Sequence, residues 1–456
     1  MIRRLWSYQA LAAAVNGANA KGAEGPDVFG VGIDSRLTEP GDLFVALAGD
    51  PGPRFQATAR SDRDGHDYAR NAAEKGAVAV LAHRKGDYGA PTLMVEDTLD
   101  GLWDIGRAAR QRLDGPAVAV TGSSGKTTFK SFAAAALGAF ATSGSLNNHI
   151  GVPLSLARTP RDADAAVFEI GTNHPGEIEP LARLVQPDIA VLLNVHPAHI
   201  ENFGTLEAIR REKVSIARGL RPGGVFVHPC AIAPDHDGRC ITFGTETKAV
   251  VRLVDVEDDV AEIESPTERV RVPVPGGGTH RAMSVCAAAA VLVALDLPVK
   301  LLERLRGLGV PRGRGNRIEA AGVTIIDESY NANPASMAAT LEAFSREPRR
   351  RFAILGDMRE LGPDTVRYHT ELAGLCNGLD GVFCVGYATK ALCEALPPEL
   401  RCGASDLADP VFATYCAERL QAGDRVLVKG SNTVFWTSDF VATLARELQR
   451  GRKGWH

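Results

Sequence analysis

Lys126, Thr127 and Thr128 follow Thr121-Gly122-Ser123-Ser124-Gly125 at the end of an apolar run, residues 117–120, and this order of residue types suits the binding of a phosphate. The run reads as a buried parallel strand and the Lys-Thr-Thr as a helix start. Backbone N–H groups of a glycine-permitted turn converge on an anion, the helix N-terminus adds partial positive charge, and Lys126 adds a full one. The Thr127 hydroxyl is suited to Mg²⁺. Gly122, Ser123, Ser124, Gly125, Lys126, Thr127 and Thr128 are therefore the expected phosphate contacts. The pattern is a shortened GxxGKT, because Val120 stands where the strict loop has its first glycine. The plainer alternative, a strand-to-helix turn with a surface lysine, gives no reason for strand, turn and helix to come in this order.

Further strand-like runs at 165–170, 189–194 and 225–228 alternate with helical segments, as in a parallel α/β sheet. Ligands of such sheets sit at the carboxyl ends of the strands, so the polar residues there should gather at the phosphate loop. They are Glu169, Asn173 and His174 after one strand, and Asn194, His196 and His199 after the next. A nucleotide-bound Mg²⁺ needs hard oxygen ligands, and Glu169 is the natural donor, since a Glu inside VFEIG is costly to bury unpaired. His196 and His199 can each be a metal ligand or a hydrogen-bonded loop histidine. Lys213 lies on a helix expected over 205–220, with Thr205 as N-cap, and reads as one more charge on a solvated face.

The elements that must hold these residues divide the chain into three α/β domains. Residues 1–111 form a small N-terminal α/β domain: a first amphipathic helix ending near Asn16 and Gly17, two strand-like runs around the Pro40-Gly41 turn, a polar stretch over 49–65, a helix over 68–75 and a strand over 77–81. Its Asp34-Ser35-Arg36 triplet could hold a polar ligand but on its own chemistry reads as a turn. Residues 112–312 form a central P-loop, parallel-sheet ATPase domain, closed by a helix over 283–297. Residues 313–456 form a C-terminal Rossmann-like, doubly wound domain with strands at 323–326, 352–355, 381–385 and 425–428. Three of these strands end in polar segments: Asp327 to Pro334, Gly356-Asp357-Met358 and Lys429-Gly430-Ser431.

A length of 456 residues suits three domains of ordinary size, and a net charge of −4 gives no general attraction for nucleic acid or an anionic membrane. Phosphate binding must then be local. Eight cysteines without a CxxC pair argue against a disulfide framework or zinc knuckle and fit a reducing compartment. No apolar run reaches the ~18 residues of a membrane span, so a cytoplasmic protein without membrane insertion is expected.

Taken together, TGSSGKTT, LNNHIGVPLSL, FEIGTNHPGEI, NVHPAHIENFGTLEAIRREK, DESYNANPASM, ILGDMRELG and VLVKGS resemble the Mur ligase family, the ATP-dependent amide-bond ligases of bacterial cell-wall precursor synthesis. SYNANP with GDMxELG, and the N-terminal DSR…PGDLFVAL…DGHDY pattern, are most similar to the member that adds D-alanyl-D-alanine (D-Ala-D-Ala) to UDP-N-acetylmuramoyl-tripeptide (UDP-MurNAc-tripeptide). The resemblance implies ATP and two Mg²⁺ ions, with Lys126 and Thr127 on the phosphates and Glu169 and His196 on the second metal. It implies a CO₂-derived carbamate on Lys213 that binds the same cation. Asn331, Asn333 and Asp357 would contact the nucleotide, Asn148 and Lys429 the substrates, and Asp34, Ser35 and Arg36 the uridine nucleotide. A substrate carboxylate would attack the γ-phosphate, and an amine, deprotonated by His199 or a water, would capture the acyl phosphate. The substrates are small molecules and a monomer is expected. Where the family has HNxxN, this chain has His280-Arg281-Ala282-Met283-Ser284, and the residue after KGS is Asn432. A polar insertion over about 50–62 lengthens the first domain.

Overall fold

The computed structural model describes residues 3–16, 24–49, 63–232, 236–257 and 259–453. The expected insertion and the helix end at Gly17 lie outside them. Three sheets follow one another along the chain. The first holds Gly30–Gly32, Asp42–Val45, Ala79–Ala82 and Thr92–Met94, all parallel and in sequence order. Thr92–Met94 escapes a reading by pattern because only Leu93 of its three residues is buried. The helix expected over 68–75 is a 3₁₀ turn, Gly65–Tyr68, running into an α-helix, Ala69–Glu74.

The central sheet has eight strands, and its order explains the site. The phosphate-loop strand, Ala117–Thr121, lies between Ala166–Glu169 and Ile189–Leu192, parallel to both. In register, Val120 faces Glu169 and Thr121 faces Leu192, so Glu169 and the Asn194 loop flank Gly122–Gly125. Ala117–Thr121 is buried throughout, as a parallel strand covered on both faces should be. Val225–Pro229, Arg239–Gly244 and Val251–Glu257 continue the parallel run, and Val260–Glu264 and Arg269–Pro273 close it as antiparallel strands.

One face is covered by Lys126–Leu137 and by the long helix Thr279–Ala294, in which Ala282 and Ala287 to Ala290 are fully buried. That helix starts four residues before the expected 283, because Gly276, Gly277 and Gly278 all adopt positive φ and the chain turns helical only at Thr279. The opposite face shares one apolar core with the N-terminal sheet, from Leu43 and Leu81 through Leu102 and Val152 to Phe168.

The third sheet runs Asn316–Ala320, Val323–Glu328, Arg425–Lys429, Arg351–Gly356, Gly381–Val385 and Arg401–Ser405. All neighbours are parallel except the opening hairpin of Asn316–Ala320 on Val323–Glu328. Both edge strands are half-exposed and bury at most one residue each, which hides them from a pattern reading.

Two expectations are corrected here. The segment over 205–220 is α-helical only at Leu206–Val214, capped by the Thr205 hydroxyl accepting from Ala208 N at 3.1 Å, and continues as a 3₁₀ turn, Ser215–Gly219. Lys213 on that helix is 2% exposed and not on a solvated face. Asp357, expected at the nucleotide, spends its carboxylate on the helix Tyr387–Ala395: it accepts from Tyr387 N at 3.0 Å, Thr389 N at 2.9 Å and Thr389 Oγ1 at 3.1 Å. It is the cap of a helix whose own N-cap residue is glycine.

Asp357→Ala should therefore lower the stability of the C-terminal domain by about 1–2 kcal/mol, read by urea unfolding, and leave ATP affinity unchanged. Loss of ATP binding in a folded Asp357→Ala protein would restore Asp357 as a nucleotide contact.

Candidate active site

The carboxyl ends of the central and C-terminal sheets face each other across a cavity of about 1030 Å³. On the central side it is lined by Ser123 to Thr128, Asn148, Glu169, His196 and His199, and on the other by Asn331, Asn333 and Lys429. These thirteen sequence-predicted residues are brought together. Gly122, Lys213, Asp357 and the Asp34-Ser35-Arg36 triplet do not line it.

The phosphate loop is held from outside itself. Asn194 accepts from Ser124 N at 3.0 Å and donates to Ser124 O at 3.2 Å. Ser123 Oγ exchanges hydrogen bonds with the backbone N and O of His196, both at 2.9 Å, which fixes the His196 backbone and leaves its imidazole uncommitted. Gly125 sits at φ +80 at the helix N-cap, where an L side chain is strained. Lys126 Nζ donates to Gly122 O at 2.7 Å, and burial pushes its pKa down while Glu169 opposes that shift.

Glu169 is 3% exposed. It accepts from Thr127 Oγ1 at 2.8 Å and Asn147 Nδ2 at 2.7 Å, and the buried Lys130 ammonium stands 3.7 Å away. Ser145 Oγ lies 2.8 Å from Thr127 Oγ1 and accepts from Arg314 Nη2 at 3.0 Å. The Thr127 hydroxyl and the Glu169 carboxylate are each a hard oxygen donor of the kind Mg²⁺ takes. Lys130, Asn147, Ser145 and Arg314 were missed in sequence. Lys130 gave the same signal as Glu169, a charge in an apolar element; Asn147 stood beside Asn148; Arg314 lies between two glycines at the domain boundary. The Asn148 side chain caps the helix Gly151–Ala157, accepting from Gly151 N at 2.8 Å.

Lys213 makes no side-chain hydrogen bond or ion pair among the described residues. Burial first, then the Lys126 charge, pushes its pKa down to about 7. His196 is also shifted down, by burial and then by Lys213, so the two stand close as a neutral imidazole and an amine able to lose its proton. The neighbouring Glu212 does not serve Lys213: it accepts from Gly176 N and Ile178 N at 2.7 and 2.8 Å.

Across the domain boundary, His199 Nδ1 pairs with Glu360, and Glu201 N donates to Glu360 O at 3.3 Å. His199 and Glu360 both hold positive φ, +57 and +61, a backbone cost that marks a constrained contact. Asn333 Nδ2 donates to Ser123 O at 3.4 Å while its Oδ1 caps the helix Pro334–Phe344. Lys429 lies opposite Glu328 in the strand register, with Nζ 3.6 Å from the carboxylate, and Arg281 pairs with Glu328 from the central domain. Burial raises the Glu328 pKa, but Arg281 and Lys429 outweigh it and hold the group ionised.

In the N-terminal domain, the Asp34-Ser35-Arg36 triplet closes on itself: Arg36 grips Asp34 through Nε and Nη2 at 2.9 and 2.6 Å, and Lys75 Nζ donates to Ser35 O at 3.0 Å. Asp64, His66 and His83 cluster nearby, and among the described residues they alone form a three-ligand group close enough for a metal. Both His66 ring nitrogens are already used, Nδ1 by Asp64 at 2.5 Å and Nε2 by His83 N at 3.0 Å, and Asp64 is also bound by Arg84. That is the pattern of a capped turn. Among the described residues no helix is long and apolar enough to cross a membrane, and all eight cysteines are free.

The Mur ligase middle domain model matches residues 120–292, and the Mur ligase glutamate ligase domain model matches residues 313–432. The chain is 33% identical, over 80% of its length and 83% of the relative's, to the UDP-N-acetylmuramoyl-tripeptide–D-alanyl-D-alanine ligase of Escherichia coli K12. It is 31% identical, over 94% of its length and 97% of the relative's, to the ligase of the same name from Treponema pallidum. Among solved structures it is similar to MurF from Acinetobacter baumannii, with a TM-score of 0.81, 28% identity and coverage of 97% and 99% of the two chains. It is also similar to MurF ligase from Thermotoga maritima in complex with ADP, with a TM-score of 0.75, 31% identity and coverage of 92% and 98%.

The Lys213 environment has a pH signature. The folded pKa of about 7 lies below the unfolded value near 10.5, so between these pH values the unfolded chain binds more protons and stability rises with pH. The penalty is greatest below pH 7. Lys213→Met should therefore raise the unfolding temperature most at pH 6.5, by the equivalent of a few kcal/mol at most, with the gain shrinking steadily above pH 7 and fading only as pH passes about 10.5. A gain independent of pH in calorimetry would mean that Lys213 is not buried as an amine.

Proposed function

The chain belongs to the Mur ligase family, and we propose that it joins D-Ala-D-Ala to UDP-MurNAc-tripeptide at the expense of ATP, releasing ADP and phosphate, in peptidoglycan precursor synthesis. One observation carries the reading: a phosphate loop whose Thr127 shares Glu169 with Lys130 faces, across one cavity, the Asn331-Ala332-Asn333 loop and Lys429 of a second sheet. The names of relatives that align over most of the chain support the choice of substrates. The enzyme works in the cytoplasm as a monomer.

A carboxylate does not form an amide in water because its leaving group would be oxide, and phosphorylation supplies a better one. The chain's part is positioning and charge neutralisation. Lys126 and the loop N–H groups would meet the negative charge that a transferring phosphoryl gathers. Asn331 and Asn333 meet the nucleotide from the C-terminal side, with Asn333 already in contact with the loop at Ser123. Asn148 and Lys429 face the substrates, and the turn at Asp34, Ser35 and Arg36 serves the uridine nucleotide.

The donor set fits two Mg²⁺ ions. Thr127 would hold one on the ATP phosphates; Glu169, His196 and a carbamate on Lys213 would hold the second. When bound, these ions neutralise phosphate charge. Support for the carbamate is chemical: CO₂ adds only to a neutral amine, and Lys213 is buried, without a side-chain partner among the described residues, and shifted to about 7. His199, with Nδ1 taken by Glu360, keeps Nε2 for a cation or for the proton of the incoming amine.

ADP release from purified protein should depend on UDP-MurNAc-tripeptide and D-Ala-D-Ala together. Stimulation by another amine but not by this dipeptide defeats the choice of acceptor. Lys213→Ala should lower turnover by about a hundredfold or more and regain part of it with added formate or acetate. Undiminished turnover in that variant removes Lys213 from the mechanism.

A further inference from the structure

Arg281 stands in the first turn of Thr279–Ala294, in the central domain, and its side chain is 8% exposed. Its guanidinium holds three segments at once. It donates to Gly276 O and Gly277 O at 2.9 and 3.0 Å in its own turn, to Arg314 O at 2.9 Å in the linker, and to Glu328 in the C-terminal sheet. Gly315, at φ +99, packs against this pair, and a Cβ there would meet both the guanidinium and the Glu328 carboxylate. The contact is thus built into the linker backbone.

Beyond Glu328 lies Lys429, its partner in register, 3% exposed, with Nζ 3.6 Å from Glu328 Oε2 and 3.3 Å from Asn331 O. The cluster therefore holds Arg281, Lys429 and one carboxylate at the cavity wall, with the Arg314 guanidinium a further positive charge acting on Lys429. One carboxylate neutralises one cation. Arg281 has the closer pairing and the forked geometry suited to a carboxylate, so the unmatched positive charge falls to Lys429. A buried surplus charge costs stability and is retained most readily where an anionic ligand completes it.

We propose that Arg281 is a positioning residue: by taking the larger share of the Glu328 charge from the central domain, it leaves the charge of the Lys429 ammonium, 3.6 Å from that carboxylate, unmatched and available to the carboxylate of the amine substrate. The inference rests on the ligase reading above and adds a second determinant of acceptor choice. Without Arg281, Glu328 and Lys429 would satisfy each other, and the acceptor carboxylate would compete with an internal one.

The test compares D-Ala-D-Ala with its C-terminal amide as acceptors in the ADP-release assay. Arg281→Met should raise KM for the dipeptide about tenfold and that for the amide less than twofold, so that the preference for the carboxylate collapses. Arg281→Met combined with Glu328→Gln should return the dipeptide KM to within about threefold of wild type, because the competing carboxylate is gone. Arg281→Lys should fall between. Equal losses for both acceptors, a change confined to KM for ATP, or a double variant no better than the single one would each overturn the proposal. Should Arg281→Met fail to fold, Glu328→Gln with and without Arg281→Lys decides it: Arg281 must become dispensable once the carboxylate is gone. Wild-type protein that turns over with neither acceptor would instead refute the ligase reading itself.

Discussion

A carboxylate buried at the end of a parallel strand must be neutralised where it stands, and in this protein that requirement falls on Glu169. Its cation, Lys130, comes from the helix after the phosphate loop; one hydrogen bond comes from Thr127 in the same helix and another from Asn147 in the next segment. Two pieces of chain are thereby locked to one side chain of a third. The loop cannot rotate without unpairing a buried Lys and a buried Glu, a loss of several kcal/mol in sites of this kind. The sheet order follows the same need, because only a strand directly beside Ala117–Thr121 brings Glu169 opposite Val120.

The two sheets meet end to end, so residues that act together are far apart in sequence. Ser123 meets Asn333, His199 meets Glu360, and Arg281 meets Glu328. Each contact has one member in the central domain and one in the last. The C-terminal domain thus supplies part of the site as well as covering it. The N-terminal sheet stands apart from this arrangement, joined to the back of the central sheet by a shared apolar core.

Much of this was legible in the sequence. The central parallel strands are continuous apolar runs, and a Glu or an Asn ending such a run has few reasons to be there except a ligand. What was not legible has physical causes. Edge strands such as Arg401–Ser405 bury too little to leave a pattern. Lys213 looks like a surface charge among Arg210, Arg211 and Glu212 because helical periodicity does not tell which face a neighbouring loop will cover. Asp357 ends an apolar strand as Glu169 does, yet a glycine-started helix claimed it first. The signal of a polar strand end says that the side chain is used, not by what.

Between the 3₁₀ turn Val299–Leu305 and the strand Asn316–Ala320, the chain passes from the central to the C-terminal domain through a short segment containing Gly307, Gly309, Gly313 and Gly315. It does so once. A wall of the active site held on one brief tether has an effective concentration of about millimolar or more toward its partner surface. A contact as slight as Asn333 on Ser123 can then hold beside the buried Arg281–Glu328 pair, because the tether keeps the two surfaces together.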